Sequence, residues 1–208
     1  MSAGPPIGSP GRVALTIDTE HPDRPTIPGV IEGVLELLDR ESVPAFCFIQ
    51  GRWALAYPEV AARIAAAGHG IGSHAHHHLP VPMLSAAGLR REIRDATDAI
   101  RDATGIDPRP RFRCPFGAGA DHPRTTAALA EQGYGPSVAW DVDALDWDSA
   151  TAREVEDRVV DGVLASRADA IVLLHSWPAP TLGALPGIVR RLRDAGVGLV
   201  PLAAIVGR

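Results

Sequence analysis

Short apolar runs of strand length alternate with amphipathic helical patterns along the whole 208-residue chain. This alternation is typical of βα units that build a parallel sheet. The runs predicted as strands are Arg12–Asp18, Val43–Ile49, His69–Ser73, Arg111–Cys114, Gly135–Val142, Ala170–His175 and Val197–Pro201. Because no glycine-rich phosphate turn follows the first strand, these seven units predict a distorted (β/α)7-type barrel, of class α/β and in a single domain, rather than an open doubly wound sheet.

The stretches between these runs carry the helical pattern. The predicted helices are Gly29–Glu41, Tyr57–Ala67, Leu84–Thr104, His122–Gln132, Thr151–Ser166 and Thr181–Ala195, with Ser85 as a cap of the third. Glycines follow four of them in the position that favours a left-handed helix cap, namely Gly68, Gly105, Gly133 and Gly196. Residues 1–11 are rich in Pro, Gly and Ser, which predicts a flexible N-terminal arm before a single folded domain at 12–208.

Charge and hydropathy exclude several classes of partner. Twenty Lys and Arg against 25 Asp and Glu give a net charge of −5, so the chain has no basic surface for a phosphate backbone, and we expect no nucleic acid partner. The apolar runs are shorter than the roughly 20 residues that span a bilayer, and the start of the chain lacks the pattern of an export signal. We therefore expect no membrane association and a cytoplasmic location. The oligomeric state is left open. Cys47 and Cys114 lie far apart, which argues against a disulfide framework or a thiolate zinc site.

Side chains able to do chemistry fall at the carboxyl ends of predicted strands, where barrels of this type hold their active sites. They are Asp18, His74, Arg113 and His175. The imidazoles of His74-Ala-His-His-His78 suit zinc, cobalt or nickel, although such a run could also be a solvated loop. Asp18 and Glu20 point the same way on extended backbone, so one could bind a metal while the other handles a proton; alternatively, they could cap the following turn.

Five short motifs occur in order and together resemble the polysaccharide deacetylases of carbohydrate esterase family 4. They are Thr16-Ile-Asp-Thr-Glu20, His74-Ala-His-His-His78, Arg113-Cys-Pro-Phe116, Asp143-Ala-Leu-Asp-Trp147 and Leu173-Leu-His175. Each is weak alone, but five in the family's order and spacing leave little room for chance. The resemblance runs from about Arg12 to Leu202 and implies a polysaccharide deacetylase-like catalytic domain over 12–208.

The resemblance implies a divalent metal, with Zn²⁺ first and Co²⁺ or Ni²⁺ as alternatives, bound by His74 and His78. It implies that Asp18 is the general base and that Arg113 pairs with it, as a guanidinium fork suits a carboxylate. Most family members have a second Asp directly after the base, whereas this chain has Thr19. Some branches of the superfamily use a D-x-E pattern instead, so we predict Glu20 as the third metal ligand.

The remaining motif residues match the other parts of the family's site. His175 matches the general acid that protonates the leaving amine, with Asp146 orienting its imidazole. The backbone N–H of Phe116 matches an oxyanion-hole donor. Trp147 and Trp177 are expected to line the groove for a sugar face or an acetyl methyl group, with plain core packing as the alternative.

Two positions in the histidine motif lie outside this pattern. Ala75 stands where Ser or Thr usually braces the loop, and we expect the loop to be slightly looser as a result. His76 and His77 receive no role from the resemblance; they could point to solvent or contact substrate.

The function implied is a metal-dependent hydrolase that removes an N-acetyl group from an amino sugar or a chito-oligosaccharide-like substrate. The alternative is a cytosolic small-molecule amide hydrolase of the same superfamily, similar to deformylases, cyclic imidases or allantoinases, because polymer-acting relatives usually carry export signals. Two other classes remain. One is a cysteine hydrolase built on Cys114 beside Arg113 with His175 as base. The other is an inactive sugar-binding module, suggested by Thr19.

Overall fold

A computed structural model of the chain describes residues 11–21, 29–149, 151–166 and 168–207. Its strands are β1 (Arg12–Thr19), β2 (Ala45–Ile49), β3 (Gly70–Ser73), β4 (Val142–Asp143), β5 (Ala170–His175) and β6 (Gly198–Leu199). Its α-helices are α1 (Val30–Arg40), α2 (Gly51–Ala56), α3 (Pro58–Ala66), α4 (Ala86–Thr104), α5 (Pro123–Glu131), α6 (Ala152–Ser166) and α7 (Ala179–Asp194). Strands and helices alternate as the sequence predicts, except that α2 is followed directly by α3, and α4 by α5. The predicted arm lies outside the described residues except for Gly11.

All strand pairs are parallel, in the order β3-β2-β1-β5-β4, with β6 paired to the start of β1. Isolated parallel bridges extend the row from Ser73 through Phe112 to Ser137. The chain then reaches β4, at the other end of the row, by residue 142. Because so short a connection cannot span far, the two ends of the sheet lie close together, as the predicted distorted barrel requires.

The central strand β1 is buried on both faces, as strands of a parallel sheet are. Neighbouring strands fit tightly: a Cβ atom added at Gly70 would lie 2.2 Å from the Phe46 ring, so only glycine lets these strands approach. The outer helices bury apolar stripes against the sheet, and Leu35, Ile100 and Val159 belong to the same large core cluster.

Most predicted element bounds are confirmed to within two residues, and the glycines predicted as caps all have φ between 72° and 81°. The Ser85 hydroxyl accepts a hydrogen bond from the Gly88 N–H, as an N-cap does. Helix α2 was not predicted, because its six residues are too few to show a helical period.

Two predicted strands are wrong in extent. Arg111–Cys114 contributes only the bridge at Phe112, and Gly135–Val142 contributes the bridge at Ser137 and the start of β4. Prolines explain the interruptions, since Pro110, Pro115 and Pro136 have no N–H to donate to a ladder.

Among the described residues, no helix has the length and apolar content needed to cross a membrane. The cytoplasmic location and the single domain at 12–208 stay predictions.

Ile100 packs α4 against the large core cluster and should contribute strongly to stability. Replacing Ile100, which is fully buried, with Ala should lower the free energy of unfolding by about 2–5 kcal/mol, because the deletion leaves a cavity. Ile106→Ala is the matched control: Ile106 is 46% exposed, and its replacement should cost less than about 0.5 kcal/mol. Urea unfolding measures both, and equal losses would contradict the assigned packing.

Candidate active site

A cavity of about 360 Å³ opens at the carboxyl ends of the strands. Its walls hold most of the site residues predicted from the sequence, among them Asp18 from β1, His175 from β5, and His74 and His78 from the loop after β3. The lining residues are Asp18, Glu20, His21, His74, His78, Phe116, Trp140, Asp143, Trp147, Leu173, His175 and Trp177. Arg113 and Asp146 lie behind this wall and act on its residues.

Glu20, His74 and His78 form a group of potential metal ligands within 4.8 Å of one another. The Glu20 Oε2 atom lies 2.5 Å from His78 Nε2 and 3.4 Å from His74 Nε2. Thr19 points elsewhere, since its hydroxyl donates to the Phe48 carbonyl at 3.3 Å. The structure therefore brings Glu20, and not Thr19, to the two histidines.

The donor atoms of this group suit a divalent cation. His74 Nδ1 donates to the Arg113 carbonyl at 3.0 Å, which points Nε2 at the group. Burial would lower the pKa of His74, but the carboxylates of Asp18 and Glu20 outweigh it and raise that pKa. Burial lowers the pKa of His78, which favours the neutral imidazole that binds metals. Burial would raise the pKa of Glu20, but hydrogen bonds from His21, His74 and His78 outweigh it and hold that pKa well below its usual range. A carboxylate and two imidazoles are a donor set that fits zinc.

Asp18 reaches the same cavity from the end of β1. Its Oδ1 accepts a hydrogen bond of 2.8 Å from Arg113 Nη1, and its Oδ2 lies 3.4 Å from His74 Nε2. Arg113 is completely buried, donates also to Thr16 Oγ1, and stacks 4.2 Å from the centre of the Phe48 ring. One carboxylate oxygen of Asp18 is thereby tied down while the other faces the metal ligands.

His175 lies at the end of β5, and Asp146 fixes both its backbone and its ring. The Asp146 carboxylate accepts from His175 N and from His175 Nδ1, each at 2.7 Å, and from the Thr181 hydroxyl at 2.6 Å. Burial lowers the pKa of His175, but Asp146 more than offsets this and raises it to about 9. His175 therefore holds a proton at neutral pH, with Nε2 facing the cavity 3.9 Å from Glu20 Oε1.

The aromatic residues predicted to bind substrate border the cavity. Phe116 and Trp147 are 62% and 51% exposed, which rules out plain core packing for them. Phe116 has a positive φ of 59°, and the centroid of its ring lies 4.5 Å from the centroid of the His78 ring. Trp177 Nε1 donates to Glu20 Oε1 at 3.5 Å, so its indole borders the metal ligands.

Sequence reasoning did not identify several residues of the site. His21 Nε2 lies 2.8 Å from Glu20 Oε1, and its own N–H donates to Gln50 Oε1. Asp143 and Trp140 line the cavity. Two of these residues could have been found from the sequence, because His21 directly follows Glu20 and Asp143 is the first residue of the Asp143–Trp147 motif. Nothing in the sequence indicated Trp140 or Gln50.

The cysteine alternative does not fit the structure. Burial raises the pKa of the Cys114 thiol, whereas a nucleophilic cysteine needs a lowered one. Cys114 is also absent from the cavity wall.

Comparison with known proteins agrees with this geometry. The family model described as polysaccharide deacetylase matches residues 7–135, more than half of the chain. This chain belongs to the polysaccharide deacetylase family. It is 34% identical over 180 residues to a chitooligosaccharide deacetylase of Sinorhizobium fredii, covering 78% of this chain and 79% of that protein.

Two further relatives extend the comparison. The peptidoglycan-N-acetylglucosamine deacetylase PgdA of Listeria monocytogenes is 30% identical over 196 residues; the match covers 94% of this chain but only 39% of PgdA. A family 4 carbohydrate esterase from Streptomyces lividans, solved in complex with acetate, superposes with a TM-score of 0.81 at 28% identity, over 97% of both chains. That near-complete overlap supports the parallel α/β domain described above.

Glu20 should contribute directly to metal affinity. Glu20→Ala removes one of three ligands and should weaken zinc binding by more than about 100-fold, exceeding the usual effect of residues that only support ligands. Competition titration against a chromophoric chelator measures this. Thr19→Val is the matched control and should keep the wild-type affinity, because the Thr19 hydroxyl is bonded to Phe48 O. The reverse pattern would make Thr19 the ligand.

Asp146 should set the basic limb of the pH profile. Activity that needs protonated His175 is lost as the pH rises through its pKa of about 9. Asp146→Asn removes the charge that raises this pKa, so the basic limb of kcat should move to lower pH by about one unit or more. Asp148→Asn, at an exposed neighbour, should leave the profile in place. An unmoved limb in Asp146→Asn would contradict this role for His175.

Proposed function

We propose that this chain is a metal-dependent deacetylase that removes an N-acetyl group from an amino sugar or a chito-oligosaccharide-like substrate. The observation that carries the proposal is the meeting, in one cavity, of a carboxylate held by a buried arginine, a histidine held by a buried aspartate, and a Glu-His-His ligand group. Family membership and the deacetylase relatives support the same reaction.

Glu20, His74 and His78 would hold the metal, with zinc favoured by the donor set. A divalent cation there supplies Lewis acidity, which polarises a carbonyl and eases the loss of a proton from water.

The proton transfers fall to two residues. Asp18, with Oδ1 held by Arg113, would take the proton of the attacking water on Oδ2. His175, protonated at neutral pH, would give its proton to the leaving amine. One turnover would thus move a proton onto Asp18 and another off His175. Loss of the proton from Asp18 and uptake of one by His175 would return both residues to their starting states.

Substrate orientation would come from the cavity rim. The exposed rings of Phe116 and Trp147 offer apolar faces of the kind on which sugars stack. The cavity of about 360 Å³ lies at the small end of ligand pockets, so an acyl group and one sugar would fill it while a longer substrate extended past the rim. The backbone N–H of Phe116 stays our candidate for the oxyanion donor.

Acyl release from a substrate panel tests the proposal. Zinc-loaded protein should release acetate from N-acetyl chito-oligosaccharides, and a chelator should abolish the release. Asp18→Asn should retain zinc and stay folded at the assay temperature, although it should be less stable because the buried Arg113 loses its counter-charge. It should lose at least about 100-fold in kcat, as general-base removal does. Cys114→Ser should keep activity, because that thiol is buried away from the cavity.

Other substrates in the panel separate the alternatives. Turnover of an N-formyl sugar or a cyclic imide without acetate release would replace the proposal with the small-molecule amide hydrolase. Oligosaccharide binding without any product would indicate an inactive sugar-binding module.

A further inference from the structure

The loop that joins the two histidine ligands is held in an unusual backbone conformation. Ala75 and His78 both have φ of 58°, in the left-handed region that non-glycine residues rarely adopt. Ala75 has no side-chain hydrogen-bonding group that could stabilise this conformation locally. Such a conformation persists only where surrounding contacts enforce it.

Glu92, on α4, supplies these contacts from one side. Its Oε2 accepts hydrogen bonds from the N–H groups of His76 and His77 at 3.0 and 2.8 Å. Its Oε1 accepts from His77 Nδ1 at 2.6 Å. Glu92 is 7% exposed, and it is absent from the cavity wall. A charged side chain on the buried face of a helix is costly unless it is fully paired, and here all its pairing goes to the loop.

Helix α2 supplies contacts from the other side. The N–H groups of Gly51 and Arg52 donate to the carbonyls of Ala75 and His76 at 2.9 and 3.2 Å. A Cβ atom at Gly51 would lie 2.4 Å from His76 Nδ1, so glycine is needed for this close approach. The loop is therefore clamped between α2, which binds its carbonyls, and Glu92, which binds its N–H groups.

The two histidine ligands depend on this clamp to different degrees. His74 is fixed by other groups, because its N–H donates to the Ile49 carbonyl and its Nδ1 donates to the Arg113 carbonyl. His78 ends the loop, so its position follows from the backbone at His76 and His77. Any change at Glu92 should thus reach the metal group through His78.

We propose that Glu92 is a positioning residue that sets His78 for metal binding, in the place of the Ser or Thr side chain that Ala75 lacks. This rests on the metal-dependent function proposed above. It also gives His76 and His77 a role, since both serve the clamp with backbone N–H groups and neither lines the cavity.

Zinc affinity of the folded protein tests this proposal without reference to any substrate. Glu92→Met keeps the side-chain volume but removes both acceptors, and should weaken zinc binding by about 10- to 100-fold, the usual effect of residues that support ligands. Glu92→Gln keeps an oxygen for the two N–H groups and should stay close to wild type. Asp98→Ala, at a half-exposed position on the same helix, is the control and should leave the zinc affinity unchanged. Circular dichroism at the titration temperature establishes that each variant is folded.

A double-mutant cycle with His78→Ala identifies the route of the effect. If Glu92 acts through His78, Glu92→Met should weaken zinc binding in the wild-type background and have little further effect once His78 is gone. Wild-type affinity in folded Glu92→Met would overturn the proposal, and so would an equal loss in both backgrounds. If Glu92→Met fails to fold, a loss of zinc affinity in folded Glu92→Gln equal to that of Glu20→Ala would overturn it, because Gln keeps the clamp. Wild-type protein that binds no zinc would instead refute the proposed function.

Discussion

Arg113 lies fully buried, and its guanidinium donates to Asp18 at 2.8 Å and to Thr16 at 2.9 Å. Removing either member of such a buried ion pair leaves an uncompensated charge, at a cost of about 3–5 kcal/mol. The Arg113 carbonyl also accepts a hydrogen bond from His74 Nδ1, and Arg113 Nε donates one to the Val138 carbonyl. One buried residue therefore fixes the candidate base, the orientation of a metal ligand and the segment at Val138, which leads to Trp140 in the cavity wall.

On the side of the candidate general acid, a buried charged residue again holds the reacting group in place. Asp146 is buried, and its two carboxylate oxygens accept three hydrogen bonds, from His175 N, His175 Nδ1 and the Thr181 hydroxyl. On each side, a buried partner holds one atom of the reacting group and leaves the other facing the cavity: Asp18 keeps Oδ2 free of Arg113, and His175 keeps Nε2 free of Asp146. The metal ligands between them are supported in turn by the Arg113 carbonyl, His21 and the Glu92 clamp. Pre-positioned charge of this kind is what electrostatic catalysis requires.

Much of this arrangement was predictable because the chemistry is carried by short motifs at strand ends. The periodicity placed β1 and β5 within one residue of their observed ends, and with them Asp18 and His175. The family resemblance pointed to Glu20 over Thr19, and the side-chain directions agree with that choice. The lengths of the strands predicted at Arg111–Cys114 and Gly135–Val142 were overestimated. Their apolar content predicts burial, but prolines in and beside them have no N–H to donate to a strand pair.

The sequence by itself determined the βα alternation, the strand ends and the residue types available at the cavity, because these depend on local periodicity and on side-chain chemistry. Only the tertiary structure decided how the histidine loop is held. Glu92 lies fourteen residues after His78, in a helical pattern that does not distinguish it from the other charged residues of α4. Helix α2 is too short to be predicted from periodicity. Their meeting at His76 depends on how α2 and α4 pack against each other, and contacts between distant segments leave no mark in local periodicity.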